Sequence, residues 1–520
     1  MRVSLLVEQW EKMITNVLAY LEASAARYPQ KLAFSDGNIQ VSYRDLLSKA
    51  KAVGSCLIER LHGKTGQPVA VTIDRDVASL IAFMGVVYSG NFYVPLDPGL
   101  PGYRIETILN TLQPEALLLN GKTADIFSSS ANTGQKVFID DATNTAPDTE
   151  GLDSVRDRMI DTNPLYAIFT SGSTGVPKCA VICHRSVIDL VEHFSEAFSF
   201  SSECIFGNQA PFDFDVSVKD LYCTLRNSGT MHILPRTLFS FPGKLIEVLN
   251  ENKINTTIWA TSALRIVSNL KGLEKDLPKY LKQVMFSGEV MPNKVLNYWR
   301  KHLPDVQFVN LYGPTEITCN CTYFIVNRPF SDNDRLPIGK PFINTDILVL
   351  NEQNLPVGAG ETGEICVRGT SLALGYYNNT AETSRAFCQN PLNPHYPELI
   401  YRTGDLGCYN ELGELIFLSR KDNQIKHMGH RIELGEIEIA ANALSFLDAA
   451  CCMYDSQREK IVLFYQASQS CDREILLGLQ EFLPKYMLPN KLVHVEQLPL
   501  NKNAKIDRTK LKEDYFNGPG

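Results

Sequence analysis

Residues 169–178 read Phe-Thr-Ser-Gly-Ser-Thr-Gly-Val-Pro-Lys, ten residues with one chemistry in common. Hydroxyls stand at Thr170, Ser171, Ser173 and Thr174, glycines at Gly172 and Gly175, and a cation at Lys178. Glycines let the backbone approach a ligand and aim successive N–H groups into one concavity. With four hydroxyls and a mobile positive charge added, the stretch suits a polyphosphate. It is not the P-loop pattern, because the lysine follows Pro177 rather than the second glycine and no Ser or Thr comes next. The competing reading is a Ser/Gly-rich surface turn, which two flanking apolar runs disfavour. A second group, Tyr312-Gly313-Pro314-Thr315-Glu316, follows an apolar β-type run, and the carboxyl ends of strands are where open α/β sheets bind ligands. A third pair, Asp215 and Lys219, falls one helical turn apart, on the same side if the segment is helical.

The elements that must hold these groups alternate. Residues 165–169 form a short apolar run expected as a buried strand, and 180–182 resume it. Ahead of them, apolar spacing predicts a helix over 3–28, short strands near 34 and 41–43, and a helix over 45–60. A β-branched run at 69–73, a buried helix at 77–88 and an extended piece at 92–95 follow. Residues 123–162, rich in Ser, Thr, Asn and Asp, read as a loop-heavy connector. Beyond the glycine loop come a helix at 186–198 and strands at 254–260, 283–286 and 307–311. Residues 336–418 are a Gly/Pro-punctuated region of alternating strands, and from 424 the chain reads as a βαβ-type domain of about a hundred residues. Strand–helix alternation predicts an α/β fold of mainly parallel sheet.

Bulk properties narrow the function. A chain of 520 residues supports more than one domain, and 44% hydrophobic with 21% charged residues is ordinary for a globular protein. A net charge of −8 argues against nucleic-acid binding. The 13 cysteines lack zinc-site spacing, with Cys319/Cys321 and Cys451/Cys452 too close, and fit reduced thiols in a cytoplasmic protein. Glu8, Glu11 and Lys12 stand where a signal peptide needs an apolar core, and residues 77–88, with Ser79 inside, are too short to span a bilayer.

The order of motifs resembles the adenylate-forming ligases, and within them the amino-acid adenylation domains of nonribosomal peptide synthetases and the D-alanine–carrier protein ligases. The resemblance covers almost the whole chain. Besides the glycine loop it rests on VSYRDL at 41–46, FYVPLDP at 92–98, FDVSVKD at 214–220, NLYGPTE at 310–316 and GETGEICVRG at 360–369. It continues through YRTGDL at 401–406, SRKDNQIKHMGHRIELGEIE at 419–438, LPKYMLP at 483–489 and NAKIDR at 503–508.

The resemblance implies a large N-terminal adenylation domain (1–419) of βαβ-type sheets with a β-rich subdomain, a hinge at 420–423 with Asp422 at its centre, and a small mobile C-terminal α+β domain (424–520). It implies that a carboxylate attacks the α-phosphate of ATP and expels pyrophosphate, chemistry that depends on positioning and charge neutralisation. In that frame the glycine loop holds the β- and γ-phosphates, Glu316 ligates Mg²⁺ and Thr315 bonds a phosphate oxygen. Tyr312 stacks on adenine, Asn310 bonds its amino group, Asp405 takes both ribose hydroxyls and Arg420 lies near the same sugar. Lys505 bridges the substrate carboxylate and the α-phosphate. Rotation at Asp422 would then withdraw Lys505 and bring Gly429 against a pantetheine arm. In isolation Glu316 would be a surface acid, Asp405 a turn former and Lys505 part of a solvated basic patch.

Carried over by motif, Asp215 pairs the α-ammonium group of an amino acid. Val216, Lys219, approximately Ala263, Met285, Ser287, Gly288, Leu311, Cys319 and Asn320 line the rest of the pocket. Lys219 supports two readings: a cation awaiting a side-chain carboxylate (Glu or Asp), or an ion pair with Asp215 or a side chain that snorkels to solvent. FSGEVMP at 286–292 resembles instead the D-alanine ligases, with a small pocket. The expected partner is a phosphopantetheinylated carrier protein, in trans since no carrier-like segment with a modifiable serine follows Arg508, unless the chain is a domain excised from a larger synthetase. The rivals are an acyl- or aryl-CoA ligase and a non-catalytic relative, the latter supported by Cys179, Ser419 and Ala504 at positions where glycine is usual.

Overall fold

Buried along their whole length, the strands Pro68–Thr72, Phe92–Leu96 and Ala116–Leu119 are near-continuous apolar runs, the pattern of a parallel sheet covered on both faces. In the computed structural model, which describes residues 14–127, 130, 132–172, 176–422, 424–499 and 506–517, they lie inside a seven-stranded sheet. Its order is Gly375–Tyr376, Lys178–Cys183, Pro164–Thr170, Phe92–Leu96, Pro68–Thr72, Ala116–Leu119, Gln135–Phe138. A nine-stranded sheet is parallel from Gln307–Tyr312 through Gln283–Ser287, Thr256–Ala260, Ile205–Asn208 and Thr230–Ile233 to Leu32–Ser35, with antiparallel strands on both edges. A five-stranded antiparallel sheet spans Thr345–Leu350 to Leu415–Arg420. Contacts divide the chain into two units, Met1–Asp97 with Gln113–Ile168 and Ala180–Ser419, and Pro98–Leu112 with Phe169–Cys179 and Arg420–Gly520.

In the first unit the helix Val77–Tyr88 is buried at every residue but Ala78 and is capped by Asp76, whose carboxylate accepts from the Ser79 N–H at 2.9 Å. It packs on the helix Tyr43–Arg60, and two glycines set the approach. A Cβ on Gly85 would stand 2.4 Å from the Val53 Cβ, and one on Gly54 would stand 2.6 Å from that of Tyr88. The N-terminal expectation is corrected within the described residues: the helix there runs Leu18–Arg27. Asn16 accepts from the Leu18 N–H at 2.9 Å ahead of it. The predicted part over residues 1–13 lies outside the described residues. The connector at 123–162 is also more ordered than its composition suggests, holding the strand Gln135–Phe138 and the helices Ile139–Thr143 and Thr149–Arg158. The last buries only Leu152 and Val155, too little for an apolar period to register, and starts at an Asp148 cap.

The second unit opens its C-terminal part with a hairpin, Gln424–His427 against His430–Glu433, turned by Met428 and Gly429, both at positive φ as a two-residue hairpin turn requires. The helix Leu434–Asn442 precedes the antiparallel pair Ala449–Asp455 and Lys460–Gln466. The helix Asp472–Gln480 then crosses to Lys491–Val495, parallel to Lys460–Gln466, completing one βαβ step. Ile432, Ile437, Leu463, Ile475 and Leu479 form its core. The helix Gly102–Leu112 belongs to this unit, with Arg104 in a buried ion pair with Glu436 and Tyr103 edge-on to Phe482. Among the described residues no helix is long and apolar enough to cross a membrane.

Candidate active site

Three parallel strands, Thr256–Ala260, Gln283–Ser287 and Gln307–Tyr312, end side by side in the first unit, and the chemistry-bearing residues stand at those carboxyl ends. Asn310 is buried and donates to the Pro337 carbonyl at 2.8 Å. Two residues on, Tyr312 donates its hydroxyl to Asp405 Oδ2 at 2.6 Å, both side chains being buried. Burial, then the neighbouring Asp405 charge, push the Tyr312 phenol well above its ordinary pKa, so it stays a neutral donor. Asp405 is fixed from the other side by its own N–H, which donates to Thr403 Oγ1 at 2.9 Å. Phe417 lies 6.4 Å from the Tyr312 ring, adding an aromatic surface beside it.

The strand leads into a one-turn 3₁₀ helix, Thr315–Ile317. Glu316 is 1% exposed, and Tyr376 donates its hydroxyl to Glu316 Oε1 at 2.7 Å. The Glu316 carbonyl accepts from the Ala373 N–H at 2.9 Å, which locks the backbone too. Among the described residues no cluster of three His, Cys, Asp or Glu side chains could hold a metal by itself. A Mg²⁺ ion at Glu316 therefore fits only with phosphate and water oxygens completing its shell, the usual magnesium arrangement.

Next to this turn Thr318 and Cys319 both take positive φ (58° and 75°), a conformation costly for residues with a Cβ. The kink places Cys319 and Asn320 against the helix Val216–Asn227. Lys219, on that helix, is fully buried and donates to Cys319 Sγ at 2.8 Å and to Asn320 Oδ1. It does not snorkel: its partners lie inside the protein. Asp215 is the N-cap residue of the same helix, but its side chain makes no capping bond. It faces Cys319 and Tyr166 instead. Burial, then Asp215, push the Cys319 thiol up to about 12, with Lys219 opposing. Val216, Met285 and Leu311 are buried in the same core as Cys319, whereas Ala263 is buried in a separate core with Trp259 and Trp299. Ser287 Oγ is buried with no hydrogen-bond partner, while Gly288, at φ 96°, faces open space where a Cβ would touch nothing. Tyr166, whose buried hydroxyl also lacks a partner, is not singled out by the sequence, because an aromatic in an apolar strand reads as core. Tyr376, far along the chain from Glu316, carries no sequence signal at all.

In the second unit the glycine loop follows the strand Pro164–Thr170. The Thr170 hydroxyl lies 3.4 Å from the Lys178 carbonyl, and Ser171 Oγ donates to the Arg431 carbonyl at 2.7 Å. Gly172 admits no side chain: a Cβ there would stand 1.9 Å from the Val176 carbonyl oxygen. Lys178 begins the strand Lys178–Cys183, and Cys179 is buried, which raises its thiol pKa and leaves it a packed, unreactive group. Arg420 forks onto Asp422, Nε to Oδ1 at 2.8 Å and Nη2 to Oδ2 at 2.7 Å. Ser173, Thr174, Gly175 and Lys505, together with Ala504, lie outside the described residues.

A buried aromatic-and-carboxylate pair, a buried glutamate and a polar pocket at the carboxyl ends of parallel strands, in a chain with this glycine loop, define an adenylate-forming enzyme. The chain belongs to the AMP-binding enzyme family, whose model matches residues 21–377. It is 31% identical to the D-alanine–D-alanyl carrier protein ligase of Bacillus licheniformis over 97% of this chain and 99% of that one. It is 30% identical to tyrocidine synthase 1 of Brevibacillus parabrevis over 95% of this chain, which spans 44% of that synthase. Among solved structures, IdnL1 superposes with a TM-score of 0.80 at 25% identity, covering 94% of this chain and all of its own.

Proposed function

We propose that the protein activates an amino acid with ATP, forming an aminoacyl-adenylate and pyrophosphate, and then passes the acyl group to the phosphopantetheine thiol of a carrier protein with release of AMP. The observation that carries the amino-acid reading is Asp215, a carboxylate at a helix N-cap position that makes no capping bond and is turned toward the buried Cys319–Tyr166 cluster. A carboxylate so placed answers an incoming ammonium, whose burial without a partner would cost several kcal/mol. The end-to-end similarity to a D-alanine–D-alanyl carrier protein ligase supports the same class of substrate and acceptor.

Each residue has one task in this reading. Tyr312 offers its ring to adenine and its hydroxyl orients Asp405, which accepts from the ribose hydroxyls. Asn310 bonds the base, Thr315 a phosphate oxygen, and the glycine loop with Lys178 the leaving phosphates. Glu316 holds Mg²⁺, which neutralises phosphate charge when bound. Lys505 steadies the substrate carboxylate against the α-phosphate. Arg420 and Asp422 form the joint between a large domain (1–419) and a small one (424–520).

Amino-acid-dependent ATP–pyrophosphate exchange tests this. Exchange is expected with amino acids and to be lost in Lys505→Ala and Asp215→Ala. Exchange with plain fatty or aryl acids, unaffected by Asp215→Ala, would establish an acyl-CoA-ligase type of reaction instead. No exchange with any acid would point to a non-catalytic relative.

A further inference from the structure

The amino-acid reading accounts for Asp215 but leaves a second buried charge without a task. Lys219 is fully buried, and its two hydrogen-bond partners, the Cys319 thiol and the Asn320 amide oxygen, are both neutral. An ammonium has three donors, so one N–H remains for a further acceptor. The Tyr166 hydroxyl is also buried and has no partner, and Asp215 and the Cys319 thiol that Lys219 bonds are among its electrostatic neighbours. Ser287 Oγ at the end of the neighbouring strand is likewise buried and unpartnered.

Asp215, the N-cap residue, precedes Lys219 by one helical turn. An amino acid brings an ammonium that claims Asp215, and its α-carboxylate is consumed at the phosphate. Lys219 would then be a buried cation facing neutral dipoles. Asp220, next to it in sequence, turns its carboxyl to Asn208, whose Nδ2 donates to Oδ2 at 2.8 Å. Burial also favours the protonated form of that acid. A lysine kept only to fill space would carry a desolvation cost that methionine or leucine avoids.

Resting on that amino-acid reading, we infer that the substrate carries a second, side-chain carboxylate, received by the free N–H of Lys219 and by the Tyr166 hydroxyl. Tyr166 is thereby a specificity residue on the strand before the glycine loop. The pocket discriminates an acidic amino acid from its amide, because the amide supplies no counter-charge.

The experiment compares pyrophosphate exchange for L- and D-aspartate and glutamate against asparagine, glutamine, glycine and alanine, in the full-length protein and in Lys219→Met and Tyr166→Phe. The wild type should favour one acid over its amide by at least about tenfold, as expected where a site pairs a charge. Lys219→Met should bring that ratio to near one, and Tyr166→Phe should lower it several-fold while retaining the same preferred chain length. Thermal melts of both variants separate a lost preference from a lost fold, and Tyr166→Phe carries the test if the methionine variant does not fold. Best exchange with glycine or alanine, with Lys219→Met opening the pocket to larger neutral side chains, would overturn the inference and leave the amino-acid reading intact. Exchange restricted to plain carboxylic acids would overturn that reading itself, and the inference with it.

Discussion

The Tyr312 hydroxyl sits 2.6 Å from Asp405 Oδ2, joining the end of a parallel strand to the middle of an antiparallel one 93 residues later. The bond fixes the carboxylate, so in the proposed nucleotide site the ribose hydroxyls would meet an acceptor that needs no reorganisation. Asp405→Asn removes the charge but keeps the shape. A hydrogen bond to a charged group contributes about 1.5–3 kcal/mol, so KM for ATP should rise about ten- to a hundredfold with kcat less affected. Tyr312→Phe should raise it less and also lower the melting temperature, because a buried carboxylate loses a donor. An unchanged KM for ATP in Asp405→Asn, from initial rates, would remove Asp405 from the nucleotide site.

Glu316 and Tyr376 stand in the same relation one step further along. The tyrosine hydroxyl holds one carboxylate oxygen at 2.7 Å and so aims the other lone pairs. Residues that orient a metal ligand commonly cost about 10–100-fold in metal affinity when removed. Glu316→Gln should therefore raise the Mg²⁺ concentration giving half-maximal exchange by at least that range, and Tyr376→Phe should shift it in the same direction by less. Titrating Mg²⁺ at saturating ATP reads both. A Tyr376→Phe titration that overlays the wild type would reduce this contact to packing.

What can be read from the sequence is whatever has a period or a local pattern. The helix Val77–Tyr88 and the strands ending at Ala260, Ser287 and Tyr312 are legible because a mostly apolar run bounded by polar turns has few other conformations. The helix Thr149–Arg158 is not, since two buried residues in ten give no stripe to detect. The placement of Asn310, Tyr312 and Glu316 follows from the strand that carries them. Their partners do not: Asp405, Pro337 and Tyr376 reach the site through three different segments, and nothing local encodes which tyrosine meets which acid. Lys219 shows the same limit. Its spacing from Asp215 is visible, but the turn that brings Cys319 and Asn320 to its ammonium rests on two residues in left-handed backbone that no pattern announces.

Asp220 should give the protein a measurable pH dependence. Its carboxyl is fully buried, Oδ1 has no hydrogen-bond partner, and burial pushes it up to about 7, against the pull of Asn208, Lys219 and Arg75. A carboxyl whose folded pKa lies above its unfolded value binds its proton more tightly when folded. Its contribution to stability is thus full below about pH 4 and is lost as pH rises toward 7. Raising a carboxyl from about 4 to about 7 corresponds to about 4 kcal/mol. Asp220→Asn should lack this loss, so its stability relative to wild type should improve from pH 5 to pH 8. Denaturant melts at the two pH values decide it; a constant difference would mean that the carboxyl is ionised in the fold throughout.

The Arg104–Glu436 ion pair is the sharpest stability test in the second unit. Both side chains are buried. Burial raises the Glu436 carboxyl and Arg104 opposes it, so the arginine is what makes the buried charge tolerable. Removing one member of such a pair typically costs about 3–5 kcal/mol, whereas replacing both by apolar groups of similar volume is often close to neutral. Arg104→Met should therefore destabilise strongly, and Arg104→Met combined with Glu436→Leu should recover much of the loss. The sign of the pH effect follows from the same acid. Without Arg104 its folded pKa climbs further above the unfolded value, so the single variant should lose more stability at pH 8 than at pH 5, where protonation relieves the charge. Equal losses at both pH values would place the cost in packing of the arginine stem rather than in the stranded carboxylate.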